Sequence, residues 1–301
     1  MAGMAGMAGM AWYGPVRSGK VWRGMAGMKA NRLLLLPSVL LFALTLWAVV
    51  AVLRLSLYDS NVVSERFVGL ANYGELVRDP AFAQNLGNSL AYALLLIPGQ
   101  ALAPLALGLL IYDVPRSLRN LTVFGLYLPS FTAGIVISTV WRWIWHPTGG
   151  LANWLLGLVG LGPVMWMAYR VTAIPAISMM ISASTMGFCA LIYAAAILAV
   201  GQDVIDAARI DGAGGWRIRV GIILPMISST VRLLTLLALV AAFQMWESIY
   251  MMAPVTGAYN LMYDMFQTAF RFSRHGLGAA KAVVLMAICA VLAAGKRRLE
   301  R

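Results

Sequence analysis

The chain has 301 residues, of which 61% are hydrophobic and only 11% charged. A soluble domain carries about 45–50% apolar and about 25% charged residues, so lipid is the solvent for most of this chain. The net charge of +12 would suit a nucleic-acid partner, but the basic residues lie at the ends of apolar spans rather than on one face, and that distribution argues against one.

The chain opens on a Met-Ala-Gly repeat over residues 1–10. Glycine at every third position is a collagen-like period, but the run is short and lacks proline. Residues 1–32 are therefore read as a disordered, basic cytoplasmic tail, with Met25 and Met28 as alternative starts. Gly14 to Val21 nearly matches a phosphate-binding loop. Val21 stands where a magnesium-holding Ser or Thr belongs and no buried strand precedes it, so the match is rejected.

Apolar runs long enough to cross a bilayer, which takes about 20 residues, follow at about 33–53, 88–112, 121–144, 173–200, 222–246 and 276–295. The first is too long for a signal-peptide core and has no small-residue cleavage site after it, so it reads as a retained anchor. Lys281 interrupts the last near one end, where its side chain is expected to snorkel to the interface. Cys189 and Cys289 both fall inside apolar runs, which disfavours a disulfide, and neither has metal-ligand spacing. With only His146 and His275 in the chain, no catalytic cluster is visible.

Between the fourth and fifth runs lies a loop, residues 202–225, that is small, charged and glycine-rich. A short helix is expected over 203–211, with Asp203 as its start signal. Gly212, Gly214 and Gly215 would let the chain reverse direction. Pro225 would mark the next helix near its first turns. A helix with so little side-chain bulk on one flank suits docking in another protein's groove. With the N-terminus placed in the cytoplasm, 14 of the 23 basic residues fall in inside segments and 7 outside, Arg232 and Lys281 lying within spans. The positive-inside rule then puts this loop and both termini in the cytoplasm.

The loop resembles the cytoplasmic EAA loop of permeases in binding-protein-dependent ABC importers. The correspondence runs through Asp206, Ala207, Ala208, Asp211, Gly212 and Ala213, then Trp216, and ends at Ile222-Ile223-Leu224-Pro225. It departs from the family in carrying Asp206 for glutamate and Arg219 at an often aromatic position. Outside segments are similar to the carbohydrate-importing branch: Phe67-Val68-Gly69-Leu70-Ala71-Asn72-Tyr73, Asp79-Pro80, Asn88-Ser89, Trp141-Arg142-Trp143 and the Gly150 to Asn153 stretch. Pro254-Val255-Thr256-Gly257 departs from the family's glycine-rich loop. The resemblance, covering roughly residues 33–299, implies an all-α polytopic membrane protein with six transmembrane helices in the type I ABC importer permease fold and a cytoplasmic coupling helix. Asp206, Ala207, Ala208, Asp211, Gly212, Ala213, Trp216 and Pro225 would couple to ABC ATPase subunits. The chain would have no ATPase site of its own, and ATP and Mg would be bound by those partner subunits. A second related permease and an extracytoplasmic solute-binding protein are the other implied partners, in a bacterial or archaeal inner membrane.

Pore-facing positions are expected at Thr185, Phe188, Gln244 and Glu247, in the two spans that line the path in the family. The alternative for the hydroxyl residues is helix-to-helix hydrogen bonding. Tryptophans 141, 143, 145, 154 and 166 read as an interfacial belt or as sugar-stacking platforms. Arg232, within a span, is expected to snorkel to the inner face. The solute class is left as a sugar, with polyols, glycerol phosphates or amino acids as alternatives. A channel is a further alternative if the loop docks nothing. An intramembrane enzyme is disfavoured because no paired acids or Ser/Lys dyad occurs in the spans.

Overall fold

The computed structural model describes residues 32–61, 63–111, 114–252 and 257–299. The N-terminal tail through residue 31, with its phosphate-loop-like stretch, and Pro254 to Thr256 lie outside the described residues. The chain divides into two units, residues 1–51 and residues 52–301. In the first, the described part belongs to helix α1 (Arg32–Leu55), a 24-residue helix containing Pro37.

The second unit begins with a two-stranded antiparallel hairpin, β1 (Tyr58–Ser60) and β2 (Glu65–Phe67), in which Tyr58 pairs with Phe67 and Ser60 with Glu65. It is a small departure from the all-α expectation. Helix α2 (Ala71–Arg78) is pinned beneath it. Asn72 Nδ2 donates to Ser56 O at 2.9 Å and Tyr58 O at 2.8 Å, and the Tyr73 hydroxyl lies 2.7 Å from Ser56 Oγ. This is the physical content of the Asn72-Tyr73 pair in the sequence pattern. Asp79 then caps α3 (Pro80–Leu96) by accepting from Ala81 N at 2.9 Å, with Pro80 at the first helical position. Both choices suit a helix start. A π-helical turn, Ile97–Leu102, joins α3 to α4 (Ala103–Leu110).

The third apolar run is broken. Helix α5 (Arg116–Tyr127) and a 3-10 turn (Leu128–Phe131) meet α6 (Gly134–Ile144) at 101°. Pro129 and the extended backbone at Thr132 and Ala133 prevent one continuous helix. Helix α7 (Leu151–Leu158) and the long α8 (Arg170–Leu198) follow. Next come α9 (Gln202–Ile210), α10 (Gly215–Ile218), a π-turn (Arg219–Ile223), α11 (Leu224–Met226) and α12 (Ser228–Gln244). The run Gly215–Met226 meets α12 at 69°, so the expected span 222–246 is also bent. The chain closes with α13 (Glu247–Met252), α14 (Leu261–Phe266), a π-turn (Gln267–Arg271) and α15 (His275–Leu299).

Among the described residues, four helices are long and apolar enough to cross a membrane, and six spans result if each bent pair counts as one. Two buried clusters hold the second unit together. One joins Tyr92, Leu96, Ile177, Phe243, Ile249 and Tyr263. The other joins Leu105, Tyr193, Ile197, Ile205, Ile223 and Leu234, and so ties the loop after α8 to the helices. Between apolar helices in lipid, close packing replaces the hydrophobic drive, and small residues permit it. Gly187 is the tightest example on α8: a methyl group there would run into the backbone at Leu126 and Tyr127.

Irregular backbone that is buried must find its hydrogen bonds within the protein. Residues 257–261 do so through α3. Asn88 Nδ2 donates to Gly257 O and Tyr259 O at 2.9 and 2.7 Å, the Tyr92 hydroxyl donates to Ala258 O at 2.9 Å, and Ser89 Oγ accepts from Leu261 N at 3.0 Å. Asn260, fully buried, closes the other side. Its Nδ2 donates to Ala242 O at 3.0 Å and to Met245 O, while its Oδ1 accepts from Tyr263 N at 2.9 Å. One side chain thus serves the C-terminal carbonyls of α12 and the first turn of α14.

Candidate functional site

The loop after α8 folds as a capped helix. Asp203 lies in the first turn of α9, where a negative charge meets the positive end of the helix dipole, but Gly201 holds the cap position. The Asp206 carboxylate accepts from Gln202 Nε2 and Arg209 Nη1, both at 3.1 Å. The helix ends in a Schellman motif: Ala213 N donates to Ala208 O at 2.9 Å, and Gly212 N to Arg209 O at 3.0 Å. That motif requires a left-handed residue, and Gly212 supplies it at φ +78°. Gly214 and Gly215, expected to share this role, have no positive φ; Gly214 instead precedes α10 in extended backbone.

The loop therefore has two faces. Ile205, Ala208, Ile218 and Ile223 are buried in the second cluster. Asp206, Ala207, Asp211, Gly212 and Trp216 are exposed on the other face, and Ala213 is half-buried. Ala208, grouped with Ala207 by the sequence pattern, thus faces inward. Pro225 lies within α11, just ahead of the bend at Ile227. Two apolar side chains stand out from this surface, Trp216 at 70% and Ile210 at 87% exposure. Ile210 was not singled out from sequence, although its place on the outer side of an otherwise polar α9 face was a readable signal.

A second feature lies where the broken third run meets α8. A cavity of about 370 Å³ is lined by Tyr127, Ser130, Thr132, Thr185, Phe188 and Ser248, among others. Thr185 and Phe188 are brought together here. Glu247 stands beside Gly134, which also lines the cavity; a methyl group on Gly134 would lie 3.2 Å from Glu247 Oε2. Gln244 is apart, with its amide directed at Cys289 Sγ at 3.8 Å. The hydroxyls of Ser184 and Thr185 also donate to their own helix, at Met180 O and Ile181 O. Tyr127, Ser130, Thr132 and Ser248 escaped the sequence reading. Pro129, with Ser130 and Thr132 in the middle of an apolar run, was the available signal, since broken helices at membrane depth line cavities.

One expectation needs correction. Lys281 does not snorkel to an interface. Its Nζ is buried, 2.7 Å from Asp264 Oδ2 and 2.9 Å from Thr268 Oγ1. An ammonium inside apolar helices is retained when paired and hydrogen-bonded, and Asp264 was not recognised as that partner. Arg232 is half-buried, and its Nε is buried without a partner among the described residues. The tryptophans divide. Trp141, Trp145 and Trp166 pack together, with ring centroids 5.6 and 4.9 Å apart. Trp166 Nε1 also donates to Asn153 Oδ1 at 2.9 Å. Trp143 and Trp154 are exposed at 72% and 60%, as belt residues are.

A mostly helical chain with broken spans, a polar cavity at a break and a capped helix outside the spans suits a membrane transport component. The family model for the binding-protein-dependent transport system inner membrane component matches residues 5–301, and this chain belongs to that family. It is 30% identical over 242 residues to the osmoprotective compounds uptake permease protein GgtC of Synechocystis sp., covering 77% of this chain and 84% of that one. It is 27% identical over 287 residues to the sulfoquinovosyl glycerol transport system permease protein SmoG of Agrobacterium fabrum, covering 93% of each. In fold it matches a chain of a bacterial alginate ABC transporter, solved in complex with an alginate pentasaccharide-bound periplasmic protein. The TM-score is 0.81 at 21% identity, over 94% of this chain and 97% of that one.

Proposed function

We propose that this chain is one transmembrane half of an ABC importer for a carbohydrate, coupled to separate ATPase subunits through the loop that carries α9. Family membership supports the permease role. The carbohydrate class is supported by the relative named for sulfoquinovosyl glycerol uptake and by the fold shared with the alginate transporter. The single observation behind the coupling role is the two-faced loop. Its buried isoleucines fix it to the spans, while Ile210, Trp216 and the small residues beside them face solvent.

The geometry suggests how force would pass. ATP binding closes two ATPase subunits, each holding one such helix in a surface groove. Ile210 and Trp216 fill apolar space there. Ala207 and Gly212 permit close approach, and Asp206 and Asp211 face the partner's polar rim. Because Ile205, Ile218 and Ile223 lie in the same cluster as Tyr193 and Leu234, displacement of α9 moves α8 and α12 with it. Helix α8 lines the cavity holding Thr185 and Phe188, and movement there would alternate its access. The second permease supplies the other half of the path, and a solute-binding protein delivers ligand at the outer face. The loop and both termini are cytoplasmic, following the excess of basic residues on that side.

The test is Gly212→Trp. A Cβ at Gly212 meets nothing within 4 Å, so the substitution leaves the packed face alone. Its costs are the left-handed backbone, about 1–2 kcal/mol, and bulk on the exposed face. Membrane insertion is expected to persist while ATP hydrolysis no longer drives uptake in reconstituted vesicles. Normal uptake by this variant would refute the coupling role.

A further inference from the structure

The last turn of α6, the start of α3 and the segment between α12 and α15 line two adjoining cavities on the side read above as extracytoplasmic. One, about 620 Å³, is lined by Arg142, Tyr250, Phe266, Gln267, Phe270 and Arg271. The other, about 500 Å³, shares Gln267 and Arg271 and adds Gln84, Asn85, Tyr259 and Asp264. Both volumes fall in the range of about 300–1,000 Å³ that holds small molecules.

The charges lining this cleft do not cancel. Arg142, in the last turn of α6, has no hydrogen-bond or ion-pair partner among the described residues. Among the described residues Arg271 has only a neutral partner, donating from Nη1 to Gln267 Oε1 at 3.3 Å. The cleft's acid, Asp264, is already neutralised by Lys281 at 2.7 Å. Two guanidinium groups are left facing one space. Arg271 is also held in place. The π-turn Gln267–Arg271 sets its spacing from Gln267, which is buried and donates from Nε2 to the Tyr263 hydroxyl at 2.6 Å. Single π-turns inside helices concentrate at functional sites. Around these cations stand exposed rings, Tyr250 at 50% and Phe270 at 67%, and the amides of Gln84 and Asn85. Rings and amides are the groups that meet a sugar's CH faces and hydroxyls; guanidinium groups pair with carboxylate, sulfonate or phosphate.

We propose that this cleft is a receiving site for an anionic carbohydrate, with Arg142 and Arg271 holding its acid group and Tyr250 and Phe270 supporting its rings. The inference rests on the carbohydrate-importer reading and names the charge class of its solute. A phospholipid headgroup would present the same anion without the ring contacts.

The experiment uses the importer purified with its partner subunits in nanodiscs of zwitterionic lipid, with equilibrium binding of two matched pairs. These are trigalacturonate against its methyl ester, and trehalose 6-phosphate against trehalose. At least one acid is expected to bind about tenfold more tightly than its neutral counterpart, the scale of one charge-assisted hydrogen-bonded pair. Arg142→Met and Arg271→Met should each abolish that preference, so that acid and neutral forms bind alike. Arg142→Lys and Arg271→Lys should keep most of it. Equal binding of acid and neutral forms, or Met variants that retain the preference, would overturn the proposal. So would Met variants that lose only retention of phosphatidylglycerol in anionic nanodiscs, which would assign the arginines to lipid. If neither acid nor neutral sugars bind while the partners co-purify, the carbohydrate reading fails as well. Binding of the neutral forms alone defeats only the anionic assignment.

Discussion

Replacing Asn260 by alanine tests how the irregular segment after α13 is held. Asn260 is fully buried and serves Ala242 O, Met245 O and Tyr263 N at once. The last carbonyls of a helix have no intrahelical partner, and Asn260 supplies one where it lies fully buried. Truncation leaves two carbonyls and one N–H unsatisfied. At about 1 kcal/mol for each group, near the lower end of the desolvation penalty, the loss is about 3 kcal/mol. For a chain of this size, about 1 kcal/mol moves the melting temperature by roughly 2–4 °C, so a fall of about 6–12 °C is expected. The assay is thermal unfolding in mild detergent, followed by aggregation or a thiol-reactive dye. Asn260→Asp should be worse than alanine. It removes both donors and sets a carboxylate against two carbonyl oxygens, although Oδ1 can still accept from Tyr263. A melting temperature within about 2 °C of wild type for alanine, or an aspartate variant more stable than alanine, would refute this account.

Lys281→Met should destabilise by about 3–5 kcal/mol, because it strands Asp264 as a buried, unpaired charge. Adding Asp264→Leu should recover most of that loss in the same melting assay. Gly187→Leu should prevent stable folding, since α8 crosses the backbone of Leu126 and Tyr127 with no room for a side chain. Expression followed by size-exclusion chromatography in detergent reads that outcome. On the exposed surface, Arg274 makes two hydrogen bonds to the Glu75 carboxylate, at 2.6 and 2.7 Å, and holds its pKa below the ordinary carboxylate value. A depressed carboxylate pKa contributes stability that is present above the unfolded value and lost as pH falls through the folded one. Protection of α2 amides against hydrogen exchange should therefore persist at mildly acidic pH and fall only below the usual carboxylate range. Glu75→Gln should show the weaker protection at every pH.

Much of this protein could be read one residue at a time. Apolar runs longer than about 20 residues report spans because a bilayer offers backbone groups no water. Gly212 announced a chain reversal because only a residue without Cβ takes φ +78° cheaply. Asp79 and Pro80, read above only as part of the family pattern, start a helix for equally local reasons. The loop's family likeness was carried by contiguous residues at fixed spacing, and the family match agrees with it.

What the sequence left open were relations between distant segments. Lys281 and Asp264 are 17 residues apart and Asn88 and Tyr259 are 171 apart; no periodicity links such positions. Hydropathy alone could not show that the third and fifth apolar runs bend, by 101° and 69°, because a bent helix and a straight one have the same composition. The cavity containing Ser130, Thr185 and Ser248 exists only because the first of those bends turns its polar residues toward α8. Arg142 and Arg271, 129 positions apart, share one cleft only in the folded chain. Local chemistry thus determined the spans and the chain reversal of the loop after α8. Packing between spans decided which polar groups are paired and which are left facing a cavity.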